Sequence, residues 1–532
     1  MSPFLPARRA MRHTPGPCRP RSGVSPVIAW AVLWVAGSAW AQAASTVAAE
    51  GASATAPPLA VAEFVHRVVV GNAGAQAARL QAQAAVKLVD AERALYDPTT
   101  FGRARRAGAD RPRTFEEQTS GLTNVGKPSA VEYNDTLQAG LRGKLSTGAT
   151  FELSHDLNRR ASNLLQSADV REYRGTLALT FKQPLLRGYG RASTEADLHV
   201  AEKEQQIEQQ RLVKQLLDLV GEAAGIWWRL YHVEQMLATR RAGVQTALEL
   251  QGETRRRVEG GFAPRIDLLE AEFAIATRQT ELARVEQLMV EVQARARSLL
   301  GADDDGRSMP SPRALASPPA WLQIDGLVTT LPTQALERWP SWEIARLRLE
   351  QEQLRLDFAR RQERPDVSLE LGLNRNSLTD RSQSALERSF GASHQGFQAG
   401  VVVEMPLDNG AARSRREAQA LRRDAARAQL DAEARTVASE WATRRGQVQA
   451  TRVELEQLHR ELAAREALLT AERENHSVGR SRLRQLIEAQ DRVDEGRLRM
   501  ADAQLRARLA DISYQTVAGT LLEAFEVRVA SR

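Results

Sequence analysis

Two stretches, Phe181-Lys-Gln-Pro184-Leu-Leu-Arg-Gly188 and Val403-Glu-Met-Pro406-Leu-Asp-Asn-Gly410, repeat one pattern 222 residues apart. Each closes a segment of two-residue alternation, breaks at proline and glycine, and opens a helix of about 68 residues, ~100 Å long at 1.5 Å per residue. Within the first long helix Leu212, Leu216, Leu219, Ala223, Ile226, Leu230, Val233 and Leu237 alternate by four and three, a heptad seam. Past Gly260-Gly261 a second seam follows at Ile275, Leu282, Val285, Met289, Val292, Ala296 and Leu299, so the two helices form an antiparallel hairpin. The second half repeats this: a helix from about Ser341 to Glu363, another from Gly410 to His476, a break at Gly479, and a last helix to about Val527. The turns match as well, Leu268-Leu269-Glu270-Ala271 against Leu486-Ile487-Glu488-Ala489, at an offset of 218. The chain is thus read as a unit of about 220 residues present twice. In each half two shorter helices are expected to stack end to end along the long one.

Between the helices, apolar residues recur at every second place: Leu137, Ala139, Leu141 and Leu145, then Phe151 and Leu153, then Tyr173 to Phe181. Val367 to Leu373 and Phe397 to Met405 do so in the second half. Four strands of about 9 to 11 residues, apolar on one face, suit a membrane barrel. The alternative is an ordinary amphipathic sheet on a soluble core. Four strands cannot close a barrel, the smallest having about eight, so several chains would have to share one. Residues 98–134 have no counterpart in the second half and leave open a true first strand, an extra hairpin or an external loop.

Of 532 residues, 73 are Lys or Arg and 66 Asp or Glu, 42% are hydrophobic, and there is one cysteine, which excludes a disordered chain and a disulfide scaffold. Five arginines and no acid lie in residues 1–43, and removing them takes the net charge from +7 to +2, so a nucleic-acid partner loses its main support. That segment reads as a signal peptide: an arginine-rich start, an apolar run from Val24 to Trp40, and Ala41-Gln42-Ala43 for cleavage. A membrane anchor is the alternative, but the run falls short of the ~20 residues of a spanning helix. Cys18 precedes the run, which argues against lipid anchoring. The expected organisation is then 1–43 signal peptide, 44–58 flexible segment, 59–300 first repeat, 301–340 linker, 341–528 second repeat and 529–532 tail.

The ordered pair of strand, Pro-Leu junction, long helix, glycine turn and returning helix resembles the TolC family of outer-membrane channel-tunnels. The resemblance implies a mainly α fold with membrane β: coiled-coil hairpins forming a helical barrel in the periplasm, and four strands per protomer in a twelve-stranded barrel of a homotrimer in outer-membrane lipid. It implies the exit duct of a tripartite efflux pump or type I secretion system, opened when a periplasmic adaptor and an inner-membrane transporter dock. It also places the adaptor contact at the hairpin tips, here Gly260, Gly261, Pro264, Arg265, Gly479, Arg480 and Arg482. Polar latches between the hairpins would set Asp267 opposite His476 and Arg482, and an acidic aperture would fall at Gln485 and Glu488, with Glu270 as substitute acid. The sequence departs from the family pattern at Gln485 and His476, where an acid and a tyrosine are expected. From the residues themselves, Gly260-Gly261 and Gly479 suit left-handed helix ends, and Pro264 suits the first turn of a helix.

An enzyme is not expected. Eight histidines lie scattered without metal-site spacing, Asp303-Asp304-Asp305-Gly306 lacks the alternation of a calcium loop, and neither catalytic residues, metal nor cofactor is assigned. The main rival reading is a periplasmic coiled-coil adaptor or scaffold without a membrane barrel. A cytoplasmic filament conflicts with the leader. The cargo is not encoded in any recognisable pocket.

Overall fold

A computed structural model describes residues 60–119, 127–164, 172–301, 336–391 and 394–528. The signal peptide, the flexible segment 44–58, the tail and most of the linker, from 302 to 335, lie outside the described residues. The first helical segment is two helices, α1 (Val61–Gly71) and α2 (Ala73–Ala94), because Asn72 leaves the helix and its side chain accepts hydrogen bonds from the amides of Gly74 and Ala75. The short α3 (Phe115–Thr119) and α4 (Arg191–Thr194) precede the first long hairpin, α5 (Ala196–Glu259) and α6 (Arg265–Leu300). The second half contributes α7 (Pro340–Gln362), α8 (Ser382–Gly391), and a hairpin of α9 (Gly410–Ser477) and α10 (Leu483–Ala518), followed by α11 (Leu521–Ala524). The last helix does not run to Val527: Gly519, at φ +70°, ends it with a left-handed cap. Both returning helices have 36 residues, and the long ones 64 and 68, a difference of about one turn.

End-to-end stacking is visible where α6 meets the α1–α2 break. Asn72 Nδ2 donates to the carbonyl of Leu299, and a Cβ on Gly71 would lie 2.6 Å from the Leu300 carbonyl oxygen. Around this joint lies the main apolar core, where Phe64, Val65 and Val68 of α1 pack on Leu216, Val220, Ala223 and Trp227 of α5 and on Ala296 and Leu300 of α6. Trp227 is fully buried, edge-on to Trp228 at 4.9 Å, and the Arg508 guanidinium of α10 lies 4.5 Å from the Trp228 ring. Beyond this girdle the helices touch through narrow seams, leaving the rest of each helix polar and wet.

Among the described residues six strands, rather than the expected four, form one antiparallel sheet in sequential order: β1 (Thr99–Pro112), β2 (Ser129–Lys144), β3 (Thr150–Ser162), β4 (Glu172–Pro184), β5 (Asp366–Thr379) and β6 (His394–Glu404). Residues 98–134 supply β1 and the start of β2, an extra hairpin of the first half. The turn at residues 145–149 splits the expected run from Leu137 to Leu153 into two strands. Register puts Leu137, Leu157 and Gly175 in one row and Leu141, Leu153, Leu179, Leu373 and Phe397 in another, on the same face. Glu152, Thr180 and Gln138 point to the other face. Three glycines each sit opposite an aromatic ring, Phe101 on Gly140, Tyr133 on Gly108 and Phe151 on Gly143, and a Cβ at any of the three would lie within 3.0 Å of that ring. These pairs admit one register and reject a slip.

The turn between β2 and β3 is docked on the strand-to-helix junction. Thr147 exchanges hydrogen bonds with the Gln183 side chain at 3.2 Å, and its carbonyl accepts from the Gly190 amide at 3.0 Å. Gly148 has φ +91°, and a Cβ there would fall 2.4 Å from the Gly188 carbonyl oxygen. Gly148→Ala therefore combines left-handed strain with a backbone clash. It is expected to cost about 1–3 kcal/mol, read as a lower unfolding temperature of the purified protein, while Gly190→Ala, with open space around its Cβ, changes it less.

Candidate functional site

The tips are built by two glycine turns. Gly261 at φ +79° and Gly479 at φ +77° take the left-handed conformation, whereas Gly260 is right-handed at φ −77°, so the expectation of left-handed backbone fails for it. What Gly260 provides is room: a Cβ there would lie 2.9 Å from the Phe262 ring. Pro264, at ψ 150°, stands just outside α6 as its cap, with Arg265 as the first helical residue. Arg265, Arg480 and Arg482 are exposed.

The two turns of one chain close around a hollow of about 460 Å³, which brings together Pro264, Asp267, Glu270, His476, Gly479 and Arg482. The link across it is not the expected one. No hydrogen bond or ion pair joins Asp267 to His476 or Arg482 among the described residues. Instead Arg257, at the end of α5, places Nη1 3.3 Å from His476 Nε2, while His476 Nδ1 lies 3.2 Å from the Ser481 carbonyl. An Nδ1–H donating to that carbonyl leaves Nε2 to accept from the guanidinium. Gln485 is turned to the backbone: its Oε1 accepts from the Arg482 amide at 3.0 Å, in a capping box that starts α10. Glu488 is held on its own helix by Arg484 at 3.0 Å and Arg492 at 3.7 Å. In this chain, then, Gln485 and Glu488 have local partners.

A second link, further from the tip, is absent from the expected residues. Arg278 of α6 is 7% exposed and donates to the Gly243 carbonyl of α5 at 3.0 Å and to Asp491 of α10 at 2.7 Å, tying the first hairpin to the second. Its signal was in the seam: the four-three count from Ile275 to Leu282 passes through Arg278, and the row Ile512, Leu505, Leu498 continues to Asp491. A charged residue at a heptad core position specifies which neighbour fits. Beside the pair, Asp494 accepts from Gln490 at 3.2 Å, and burial raises its carboxyl above the ordinary 3.8 although Arg278 pulls it down. Gly243, Arg278, Asp491 and Asp494 line a groove of about 810 Å³ between α6 and α10, which also bears the exposed side chains of Phe273 and Leu269. Phe262, 82% exposed at the tip itself, is a further apolar residue that turn chemistry alone does not reveal. No group of three or more His, Cys, Asp or Glu placed to hold a metal ion occurs among the described residues.

Among described residues no helix is long and apolar enough to cross a membrane. The sequence matches no curated protein. Residues 331–520 match the family model of outer membrane efflux proteins. Among solved structures, CusC aligns at 15% identity and TM-score 0.63, covering 86% of this chain and 91% of that one. A membrane protein from Pseudomonas aeruginosa aligns at 17% identity and TM-score 0.64, covering 86% and 93%. The outer membrane protein VceC from Vibrio cholerae aligns at 15% identity and TM-score 0.61, covering 86% and 96%.

Two variants test the polar joint. A carboxyl raised on folding favours the folded state when protonated, an advantage lost as pH rises through the folded-state value. Asp494→Asn is therefore expected to raise the unfolding temperature at pH 7, with the gain vanishing as pH falls toward 3.8. Arg278→Ala is expected to cost about 1–3 kcal/mol, seen by thermal unfolding at neutral pH. Residues 331–520 thus resemble outer membrane efflux proteins, and over 86% of its length the chain shares the fold of these solved structures.

Proposed function

We propose that three copies of this chain form an outer-membrane channel, a passive exit duct whose helical barrel stands in the periplasm and opens when an adaptor and an inner-membrane pump dock at the tips. One observation carries the reading most: a six-stranded sheet, apolar on one face and, among the described residues, unpaired along both outer edges, continues directly into two long helical hairpins. Leu137, Leu153, Leu179, Leu373, Phe397 and Val401 stand 41–85% exposed on that face, a cost in water and a fit to lipid. The two tyrosines Tyr133 and Tyr173 flank it at the far end and the paired Phe151 and Phe181 at the near end, as interfacial aromatics do. In the row of Tyr173 the same face carries charge in a ladder, Arg106 to Asp135 at 3.5 Å and Arg159 to Asp135 at 3.1 Å.

Because each protomer brings six strands, the shared barrel of a trimer has eighteen, in place of the twelve implied by four. β1 runs away from the helices and β6 returns, so β6 of one copy meets β1 of the next antiparallel. The rival reading, a soluble adaptor, leaves both edges uncovered, and with them the apolar face beyond the patch around His155, Gly175 and Ser377 on which α8 packs. Membrane fractionation and mass analysis in detergent separate the two: an outer-membrane species near three times the protomer mass, conducting in a planar bilayer, is the expected result, and a soluble periplasmic monomer overturns it. If the tips gate the duct, removing the contact between Arg257 and His476 in the Arg257→Ala/His476→Ala variant raises single-channel conductance several-fold without changing the oligomer's mass.

A further inference from the structure

The hairpin β1–β2 adds more than width. Its polar face, the one turned away from lipid, carries Arg103, Arg105, Arg111, Arg142 and Lys144 against a single acid, Glu132. Glu132 is already held by Arg160 of β3 at 2.7 Å, and Arg111 is turned to Glu117 at 3.1 Å. Arg142 lies over the Phe101 ring at 5.6 Å. Arg103 and Arg105 face Gln138 and Thr136 across the ladder, with no carboxylate opposite either, and both are exposed. Further along these two rows β3 and β4 add Asp156 and Arg174, one of each sign, which leaves the arginines of β1 uncompensated. They stand near the middle of β1, and β1 is the edge strand, so their other neighbour in a closed barrel is β6 of the next copy. On that side β6 offers His394, Gly396, Gln398, Gly400, Val402 and Glu404, whose one acid is the last residue, at the helix end of the strand.

We infer that Arg103 and Arg105 form a cationic belt at mid-height in the barrel lumen, six guanidinium groups in a trimer, which makes the outer-membrane section of the duct select for anionic solutes. The inference rests on the shared-barrel reading above. Rings of arginine in a water-filled wall raise the local anion concentration and the barrier to cations. Both arginines lie on the lumen side because their neighbours in sequence, Gly102, Ala104 and Arg106, take the other face, where Arg106 pairs with Asp135. The belt belongs to the first half alone, since the second half has no counterpart to β1 and β2.

The test is the reversal potential of the reconstituted oligomer across a potassium chloride gradient, with intact tips and in the tip-loosened Arg257→Ala/His476→Ala background. Arg103→Glu/Arg105→Glu is expected to lower the chloride-to-potassium permeability ratio at least twofold, and Arg103→Gln/Arg105→Gln to lower it less, in the same direction. Arg388→Glu, on exposed α8, leaves the ratio unchanged. If charge reversal disrupts assembly, the glutamine variant decides. A conducting trimer whose ratio is the same with and without the arginines, in both backgrounds, overturns the belt and leaves the channel standing. Absence of both trimer and current in the unsubstituted protein overturns the channel reading and the belt together.

Discussion

Everything in the β region depends on what becomes of two rows of backbone amides and carbonyls, one along β1 and one along β6. Inside the sheet each strand satisfies its neighbour, but the outer edges, 14 and 11 residues long, have no partner within the described chain. In water such edges recruit other strands; in lipid each unpaired group costs several kcal/mol. A sheet with an apolar face in hydrocarbon therefore has to close, and a single protomer is too narrow to close on itself. In the proposed channel, oligomerisation is in this sense a backbone requirement, and the helices inherit the symmetry that the strands impose.

The sheet in turn needs a fixed register, because a slip of one residue would turn the apolar row to the lumen. The glycine–aromatic pairs supply it at three heights, and the Thr147–Gln183 bonds pin the β2–β3 turn to the start of the helical part. The two halves are also stitched by backbone: the Leu185 amide donates to the Val367 carbonyl at 2.7 Å, joining the first proline junction to the first strand of the second half. Thus the chain passes from strand to helix at a place where neither partner can shift alone.

The helical part was legible in the sequence because a heptad seam is a long-range, redundant signal, and the glycine turns because a reversed chain needs a left-handed residue at each. β1 was not legible. It reads Thr-Thr-Phe-Gly-Arg-Ala-Arg-Arg-Ala-Gly-Ala-Asp-Arg-Pro, with only Gly102, Ala104 and Gly108 on much of its apolar side, so alternation of hydrophobicity is nearly silent. Its strand character comes from the pairing that Phe101 and Tyr133 enforce. At the tips the sequence located the two turns but not the bonds between them, because which side chains meet depends on how each helix is rotated when it reaches its turn. Arg278 was the exception, since a cation at a seam position is a contradiction visible in the pattern itself.

The extra hairpin also resolves a problem of dimensions. In the proposed trimer, α5, α6, α9 and α10 of each copy give a ring of twelve helices, which at an axis spacing of about 9 Å has a circumference near ~110 Å. Strands lie about 4.8 Å apart and tilt by about 40° from a barrel axis, so each occupies roughly 6 Å of circumference. Twelve strands then make a ring of about 75 Å, narrower than the helices beneath it, and the chain must taper at the proline junctions. Eighteen make a ring of about 110 Å, the same as the helices. With six strands per copy the duct keeps one bore from the tips to the cell surface, and its narrowest point is left to the tips alone. In the proposed channel, selection by size would then fall to the polar contacts around Arg257 and His476, while the barrel, too wide to sieve, would be free to act on charge.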